Sequence, residues 1–293
     1  MNLEHLNMFV AVAKTGSFSA CARQLGKVQS AVSQGIANLE IDLNVTLFDR
    51  STRKPTLTPE GQHLLSFAEA ILQQTQEMER AASALSRQEE TQLTLVTDDG
   101  LEVDRLFSVI DEFAVQFPST SLNVISAASC DIVGLISQGK ANIGLMLSEL
   151  TLNQDASVCY IGNMTFMAVV GVAHPLAKVG RIEPTDLIPH RQLVIQSGSD
   201  KIQPHFEQVS AQLWSASSFA MLMKYTERCL GWAYLPTHMA KAGIAAGNLH
   251  ALPVTFDHKP WSVPVECVTP KRLKTGPAAT WLRQALLTLL DEK

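Results

Sequence analysis

Apolar residues recur at helical spacing from the start of the chain. Leu3, Leu6, Phe9, Val10 and Ala13 form one stripe that stops at Gly16. Ser17 stands where a cap is needed, ahead of a second helix from 18 to about 25 whose Ala20, Cys21 and Ala22 are small enough for close packing. Gly26 supplies a turn. A third helix, from about 29 to 43, buries Val32, Ile36, Leu39 and Leu43, and Asn44 sits where a left-handed C-cap is expected. Leu47-Phe48 and Thr56-Leu57-Thr58 read as the two strands of a hairpin with Arg50, Arg53 and Lys54 at its tip.

Thr58-Pro59 combines a capping residue with proline at the first helical position, a strong start signal. Beyond it, Leu64, Ala68, Ile71, Thr75, Met78, Ala82 and Leu85 fall at alternating spacings of four and three, a seam sustained over about three heptads. The intervening residues are mostly polar. A helix from 59 to 87 would be roughly 40–45 Å long at 1.5 Å per residue. A stripe of that length calls for a dimerisation partner, most simply the same helix of a second copy. The alternative is that it packs on its own chain.

After a polar break at 88–91, strands and helices alternate: strand 92–97, helix 101–117, strand 121–126, helix 131–139 and strand 141–147. A second cycle comprises strand 165–172, a surface turn at His174-Pro175-Leu176-Ala177, strand 192–196, a helix near 217–230 and the segment WAYLP. Strand 263–269 and helix 277–291 close the chain. The alternation implies a parallel sheet. The fold class is therefore an N-terminal winged helix-turn-helix (all-α with a small β wing), a long linker helix and a C-terminal α/β two-lobed, periplasmic-binding-protein-like effector domain. The expected boundaries are 1–58 for the DNA-binding domain, 59–90 for the linker, 91–163 with 266–293 for lobe I, and 164–265 for lobe II. Ligands of such folds sit between the lobes, at the carboxyl ends of strands.

Composition narrows the class. With 46% hydrophobic and 17% charged residues, the 293-residue chain is of folded, globular type. No apolar run approaches the roughly 18 residues needed to span a bilayer, and the N-terminus reads as an amphipathic helix rather than a signal peptide. A cytoplasmic protein without membrane partners is expected. The five cysteines are widely spaced and form no CxxC pair, which supports neither a disulfide framework nor a metal site. The net charge of −5 divides unevenly: residues 1–58 hold six cations against four anions, net +2, and the remainder holds 17 against 24, net −7. Local charge decides attraction to phosphate, because salt screens distant charges. No GxSxG, HExxH or Walker-type loop is present, so neither an enzyme nor a cofactor is expected. A solute-binding protein remains a remote alternative that would not need residues 1–87.

The run from Gly16-Ser17-Phe18 through Ala22, Leu25, Gln29-Ser30-Ala31-Val32-Ser33, Ile36, Leu39-Glu40, Leu47-Phe48, Arg50, Leu57-Thr58 and Gly61 closely resembles the LysR-type transcriptional regulator family. Phe113, Phe117-Pro118, His174-Pro175-Leu176-Ala177, Gly231 and Leu235-Pro236 extend the resemblance along the whole chain. It implies a homodimer or homotetramer that binds double-stranded DNA, responds to a small-molecule effector and acts with RNA polymerase. Gln29, Ser30, Ser33 and Gln34 project from the first turns of the third helix, where side chains can reach base edges in a major groove. Ser17, Lys27, Arg50, Arg53 and Lys54 complete the expected DNA-binding set, the cations holding phosphates. An ordinary solvated face is the alternative for these polar residues. The sequence departs from the family at Val28, where Ser or Thr usually caps the reading helix, and at Gln34 and Gly35, where a basic residue and Gln are common.

By position, the effector-binding residues are Thr97, Asp98, Asp99, Gly100, Ser129, Cys130, Gln196 and Ser197. Many relatives carry Ser or Thr near Asp98. Two carboxylates there would repel an anion and favour a cationic or neutral polar effector, unless they cap the helix expected at 101–117 or point to solvent. Cys130, at a helix start that lowers thiol pKa, offers a redox-sensing alternative. However, peroxide-sensing relatives carry their cysteines in the stretch corresponding to 196–212, where this chain has none.

Overall fold

The computed structural model describes residues 1–51, 54–148, 156–196, 205, 208–271 and 275–291. It divides into two compact units, Met1–Arg87 and Gln88–Lys293. In the first, α1 (Leu3–Thr15), α2 (Phe18–Gln24) and α3 (Gln29–Leu43) precede a hairpin of β1 (Phe48–Asp49) and β2 (Thr56–Leu57), and α4 (Pro59–Ser86) follows. Gly16 and Asn44 end their helices in the left-handed region, at φ 62° and 53°, as expected for C-caps. Leu6, Phe9, Val32, Ile36, Leu39 and Leu47 form the core. Phe48 receives Phe9 and Phe18 edge-on at 5.6 and 5.8 Å.

Two glycines set close approaches. A Cβ on Gly35 would overlap the Met8 sulfur, so glycine leaves room for the Met8 side chain between α1 and α3. The departure from the family at this position is thus a packing choice. A Cβ on Gly61 would overlap the Leu47 carbonyl oxygen, where the wing meets α4. The start of α4 is further fixed by Thr58, whose Oγ1 accepts from Gly61 N at 2.9 Å and donates to the Thr46 carbonyl at 2.7 Å.

The α4 seam divides along its length. Leu64 and Ala68 pack into the core of the first unit, joined by Leu65 and Leu72. Ile71, Ala82, Met78 and Leu85 are exposed, the last two at 67% and 59%. Intrachain packing therefore accounts for the first turns of the seam and leaves most of its second half uncovered.

Among the described residues, the strands of the second unit form one nine-stranded sheet. Its strands are β3 (Gln92–Thr97), β4 (Ser121–Ser126), β5 (Ile143–Leu147), β6 (Ala156–Gly171), β7 (Gln192–Ile195), β8 (Leu213–Ala216), β9 (Trp232–Pro236), β10 (Leu249–Ala251) and β11 (Trp261–Pro270). The order is β4-β3-β5-β11-β6-β9-β7-β8, with β10 also on β6. Parallel triplets lie at both ends, and antiparallel β11 and β6 join them. The helices are α5 (Asp104–Gln116), α6 (Ser129–Ser137), α7 (Pro184–Leu187), α8 (Phe219–Glu227), α9 (Thr237–Ala245) and α10 (Pro277–Leu286).

Several expectations are corrected. The sheet is mixed rather than parallel, because β6 runs 16 residues instead of starting at 165 and pairs antiparallel with β11 along much of its length. Where β11 passes from Val265 to Glu266, its partner passes from Gly162 to Tyr160, so Ile161 is the extra residue of a bulge. The helix expected at 101–117 is a 3-10 turn at Asp99–Leu101 followed by α5, with a break at Glu102 and Val103. The helix expected at 131–139 begins two residues earlier, at Ser129. Strands β8 and β10 and helices α7 and α9 are additional to the elements expected from sequence. His174 heads the expected surface turn, in which Pro175 and Lys178 are exposed, but its own ring is turned inward: it is 6% exposed, and its Nδ1 accepts from Leu176 N at 3.2 Å. Burial, and secondarily the neighbouring His190, lower its pKa, which favours the neutral ring needed for that acceptor role.

The wing-to-helix junction predicts that Gly61→Ala costs about 1–3 kcal/mol, as overpacking against a fixed carbonyl does. Urea unfolding of the full chain, followed by helical signal, reads this. A variant as stable as the parent would remove the close-approach account.

Candidate functional site

The reading surface begins on α3. Val32, Ile36 and Leu39 bury one face, and the opposite face exposes Gln29, Ser30 and Gln34, with Ser33 half-buried beside them. Val28 occupies the N-cap position, 67% exposed and without a side-chain cap bond. Gln34 Nε2 donates to Asn38 Oδ1 at 2.9 Å, one turn along the helix. Ser17 caps α2 by accepting from Ala20 N at 3.4 Å and lies 3.0 Å from the Ser19 hydroxyl.

Two of the cations are held by carboxylates. Lys27 Nζ lies 2.5 Å from Glu4, and that contact lowers the Glu4 pKa, first through the hydrogen bond and then through charge. Arg50 donates to Glu40 Oε2 at 2.9 Å and lies 5.4 Å over the Phe18 ring. The other Glu40 oxygen accepts from Leu47 N at 2.8 Å and Phe48 N at 3.2 Å. Glu40 thus ties the end of α3 to the wing, a role the sequence marks only through its place among the family-like residues. Lys54 is exposed at the wing, and Arg53 lies outside the described residues.

In the second unit, the expected effector loop is organised by Asp98. This residue is 1% exposed. Oδ1 accepts from Gly100 N at 3.0 Å, and Oδ2 accepts from Ser129 N at 3.0 Å and Ser129 Oγ at 2.6 Å. Ser129 Oγ in turn accepts from Leu147 N at 2.9 Å. Burial raises the Asp98 pKa to about 6, opposed by Ser129 and assisted by the charge of Asp99. Asp99 Oδ2 accepts from Ala220 N at 2.9 Å, in the first turn of α8, while Gly100 lies so close to Phe219 that a Cβ would press on its ring.

The capping alternative therefore describes both aspartates, although the elements they cap are the 3-10 turn, α6 and α8. Thr97, 1% exposed, donates to the Asp98 carbonyl at 3.1 Å. Cys130 is half-buried in the first turn of α6 and packs against the main core. Gln196 N donates to the Ala216 carbonyl at 2.9 Å, and Ser197 lies outside the described residues. Thr97, Asp98, Asp99, Gly100 and Ser129 thus come together as one hydrogen-bonded junction.

A reading helix with an exposed polar face, a wing, a long helix and a mixed α/β unit accord with the comparisons to known proteins. Residues 3–62 match the bacterial regulatory helix-turn-helix protein, lysR family. Residues 86–291 match the LysR substrate binding domain, well over half of the chain. The chain is a LysR-type transcriptional regulator. It is 34% identical over 284 residues to the HTH-type transcriptional regulator AceR of Acinetobacter baumannii, covering 96% of this chain and 95% of that one. It is 26% identical to the multiple virulence factor regulator MvfR of Pseudomonas aeruginosa, over 87% of this chain and 77% of that one.

Among solved structures, a full-length OxyR variant from Pseudomonas aeruginosa aligns with a TM-score of 0.54 at 19% identity, covering 98% of this chain and 99% of the other. CbnR, a LysR family transcriptional regulator, aligns at 0.51 and 19%, covering 98% and 100%. These likenesses support the fold. LysR regulators bind DNA and small-molecule effectors and form oligomers. Among the described residues, no helix is long and apolar enough to cross a membrane.

Asp98 gives this regulator a pH signature. Its carboxyl titrates near 6 when folded and near 3.9 in an unfolded chain. Between these values the folded state holds the extra proton, so the Asp98 contribution to stability falls as pH rises from about 4 to about 6. Asp98→Asn replaces an acceptor with a donor facing other donors and costs about 1–3 kcal/mol. The stability difference between wild type and Asp98→Asn should narrow as pH rises through that window and stay level above it. A difference constant from pH 4 to 7 would overturn the buried-carboxylate account.

Proposed function

We propose that this regulator reads an operator with the exposed face of α3 and does so as a self-associated oligomer, a homodimer or homotetramer. Gln29 pairs with an adenine edge, Ser30 and Ser33 serve bases or phosphates, and Gln34 extends the reading surface. Arg50 and Lys54, with Arg53, meet the phosphate backbone from the wing. Lys27 and Ser17 complete the contact set. The observation that carries this reading is the sharp division of α3, with Val32, Ile36 and Leu39 buried and Gln29, Ser30 and Gln34 in solvent. Such a helix acts with RNA polymerase on the chromosome, in the cytoplasm, and the chain performs no catalysis.

The exposed half of the α4 seam supports self-association. Met78 and Leu85 are large apolar side chains left in water on a helix whose other exposed positions are mostly polar, and a second copy of the same stripe matches them. The second unit responds to a small molecule by changing the junction in which Asp98 and Asp99 hold the 3-10 turn against α6 and α8. Cys130, next to Ser129 in sequence, and Gln196 complete the proposed effector set.

Two experiments test the reading. Genome-wide occupancy mapping supplies the operator, and gel-shift titration then compares variants. Val28→Ser restores a cap worth on the order of 1 kcal/mol and should tighten operator binding severalfold, whereas Gln29→Ala should weaken it by about 1–3 kcal/mol and relax discrimination at one base pair. Unchanged affinity in both would sink the α3 assignment. For assembly, Met78→Lys with Leu85→Lys should lower the sedimentation mass toward that of a single chain. An unchanged mass would exclude the seam as the interface.

A further inference from the structure

The second unit also contains a hollow of about 180 Å³ that none of the expected effector residues lines. Four of its residues are aromatic: Trp232, Tyr234, Phe256 and Trp261. Val209, His205 and Asp257 complete it. The chain has only four Trp and three Tyr, so this small cavity gathers half of the tryptophans. Trp261 and Phe256 are 43% and 42% exposed, so both rings present open apolar surface at the hollow. Trp232 forms the floor, 1% exposed, with the Tyr234 ring set edge-on 6.0 Å away.

The polar groups of the hollow have defined roles. The Trp232 indole N–H donates to Ser210 Oγ at 3.2 Å, so it is spent within the protein. The Tyr234 hydroxyl donates to Asp257 Oδ2 at 2.6 Å and fixes that carboxylate beside the rings. Among the described residues no ion pair reaches Asp257. Lys259 and His258 line an adjoining hollow that also borders on Asp257.

We propose that this aromatic hollow is a binding site for a small organic cation, an ammonium group carrying a short apolar arm. The proposal rests on the reading of the chain as an effector-responsive regulator and deepens it. The ammonium faces the ring quadrupoles and the Asp257 carboxylate, and the apolar arm covers Trp261 and Phe256. A neutral guest of the same shape would bury the carboxylate without a counter-charge, which is costly, and an anion would be repelled. The size suits a guest well below the roughly 300–1,000 Å³ typical of drug-sized ligand pockets.

The hollow also has a mechanical connection. His205 hydrogen-bonds through its ring to the Ser148 carbonyl just past β5, and the Ser148 hydroxyl donates to Glu266 Oε1 at 2.8 Å beside the β11 bulge. A guest that moves His205 therefore acts on a strand that joins the two parallel triplets.

The test uses the full chain and three probes of similar size: phenethylamine, 2-phenylethanol and phenylacetate. Binding is read by calorimetry and by quenching of tryptophan fluorescence at neutral pH. The amine should bind saturably and at least about tenfold tighter than the alcohol, with phenylacetate weakest. Asp257→Asn should bring amine and alcohol within about twofold of one another, and Trp261→Leu should weaken the amine severalfold while thermal unfolding shows both variants folded. No saturable amine binding, equal binding of amine and alcohol by the wild type, or a preference for the amine that survives Asp257→Asn would each overturn the site. Gel shifts of the wild-type protein without amine separate the two claims: operator binding with no amine selectivity overturns the hollow alone, and amine selectivity without operator binding overturns the DNA reading alone.

Discussion

The effector unit depends on one buried carboxylate. Asp98 sits at the end of β3, where the chain must leave the sheet, and it satisfies donors from Gly100 and Ser129 that would otherwise be orphaned at two helical starts. A buried charge is costly unless it is fully hydrogen-bonded. Asp98 meets that condition with three short bonds and still has a raised pKa, a sign that burial outweighs them. Its neighbour performs a complementary task. Asp99 reaches across to α8, so two adjacent acids fasten one turn to two different helices.

The DNA-reading unit uses the same device. Glu40 projects from the last turns of α3 and accepts from two backbone N–H groups of the wing while pairing with Arg50. Removing the carboxylate would leave the Leu47 and Phe48 N–H groups without this acceptor and Arg50 without this partner. In both units a side chain does what secondary structure cannot, satisfying backbone donors where the chain changes direction. The apolar cores set which elements pack, and these carboxylates set their orientation.

The parts legible from sequence are those governed by local rules. Strands β3 and β4 fall at the anticipated residues because polar or turn residues bracket each run. The ends of α1 and α3 and the start of α4 follow from Gly16, Asn44 and Thr58-Pro59. Helix α9 escapes such rules because it has no side-chain cap and follows β9 directly from Pro236. The first half of β6 exposes Val158 and Tyr160, so it reads as a loop until β11 is laid beside it. The donors of Asp98 and Asp99 at Ser129 and Ala220 lie 31 and 121 residues away, beyond any local pattern. The aromatic hollow is hidden for the same reason: His205, Trp232, Tyr234, Asp257 and Trp261 meet only once β9 and β11 flank β6.

The electrostatics of the reading unit constrain how it can bind. Lys27 and Arg50 each face a carboxylate, Glu4 and Glu40, in surface pairs that water and salt keep weak. DNA phosphate can compete for these cations, but each exchange leaves a carboxylate near the phosphate backbone. The gain per cation is therefore smaller than for an unpaired lysine or arginine, and the net +2 of residues 1–58 offers little in reserve. The uncapped start of α3 adds no hydroxyl to offset this. On the proposed reading of α3, base contacts from Gln29 and Ser30 thus carry a large share of discrimination over a modest electrostatic background. In the self-association proposed above, joining two such units through the exposed half of α4 raises the effective concentration of the second contact without asking either to be tight.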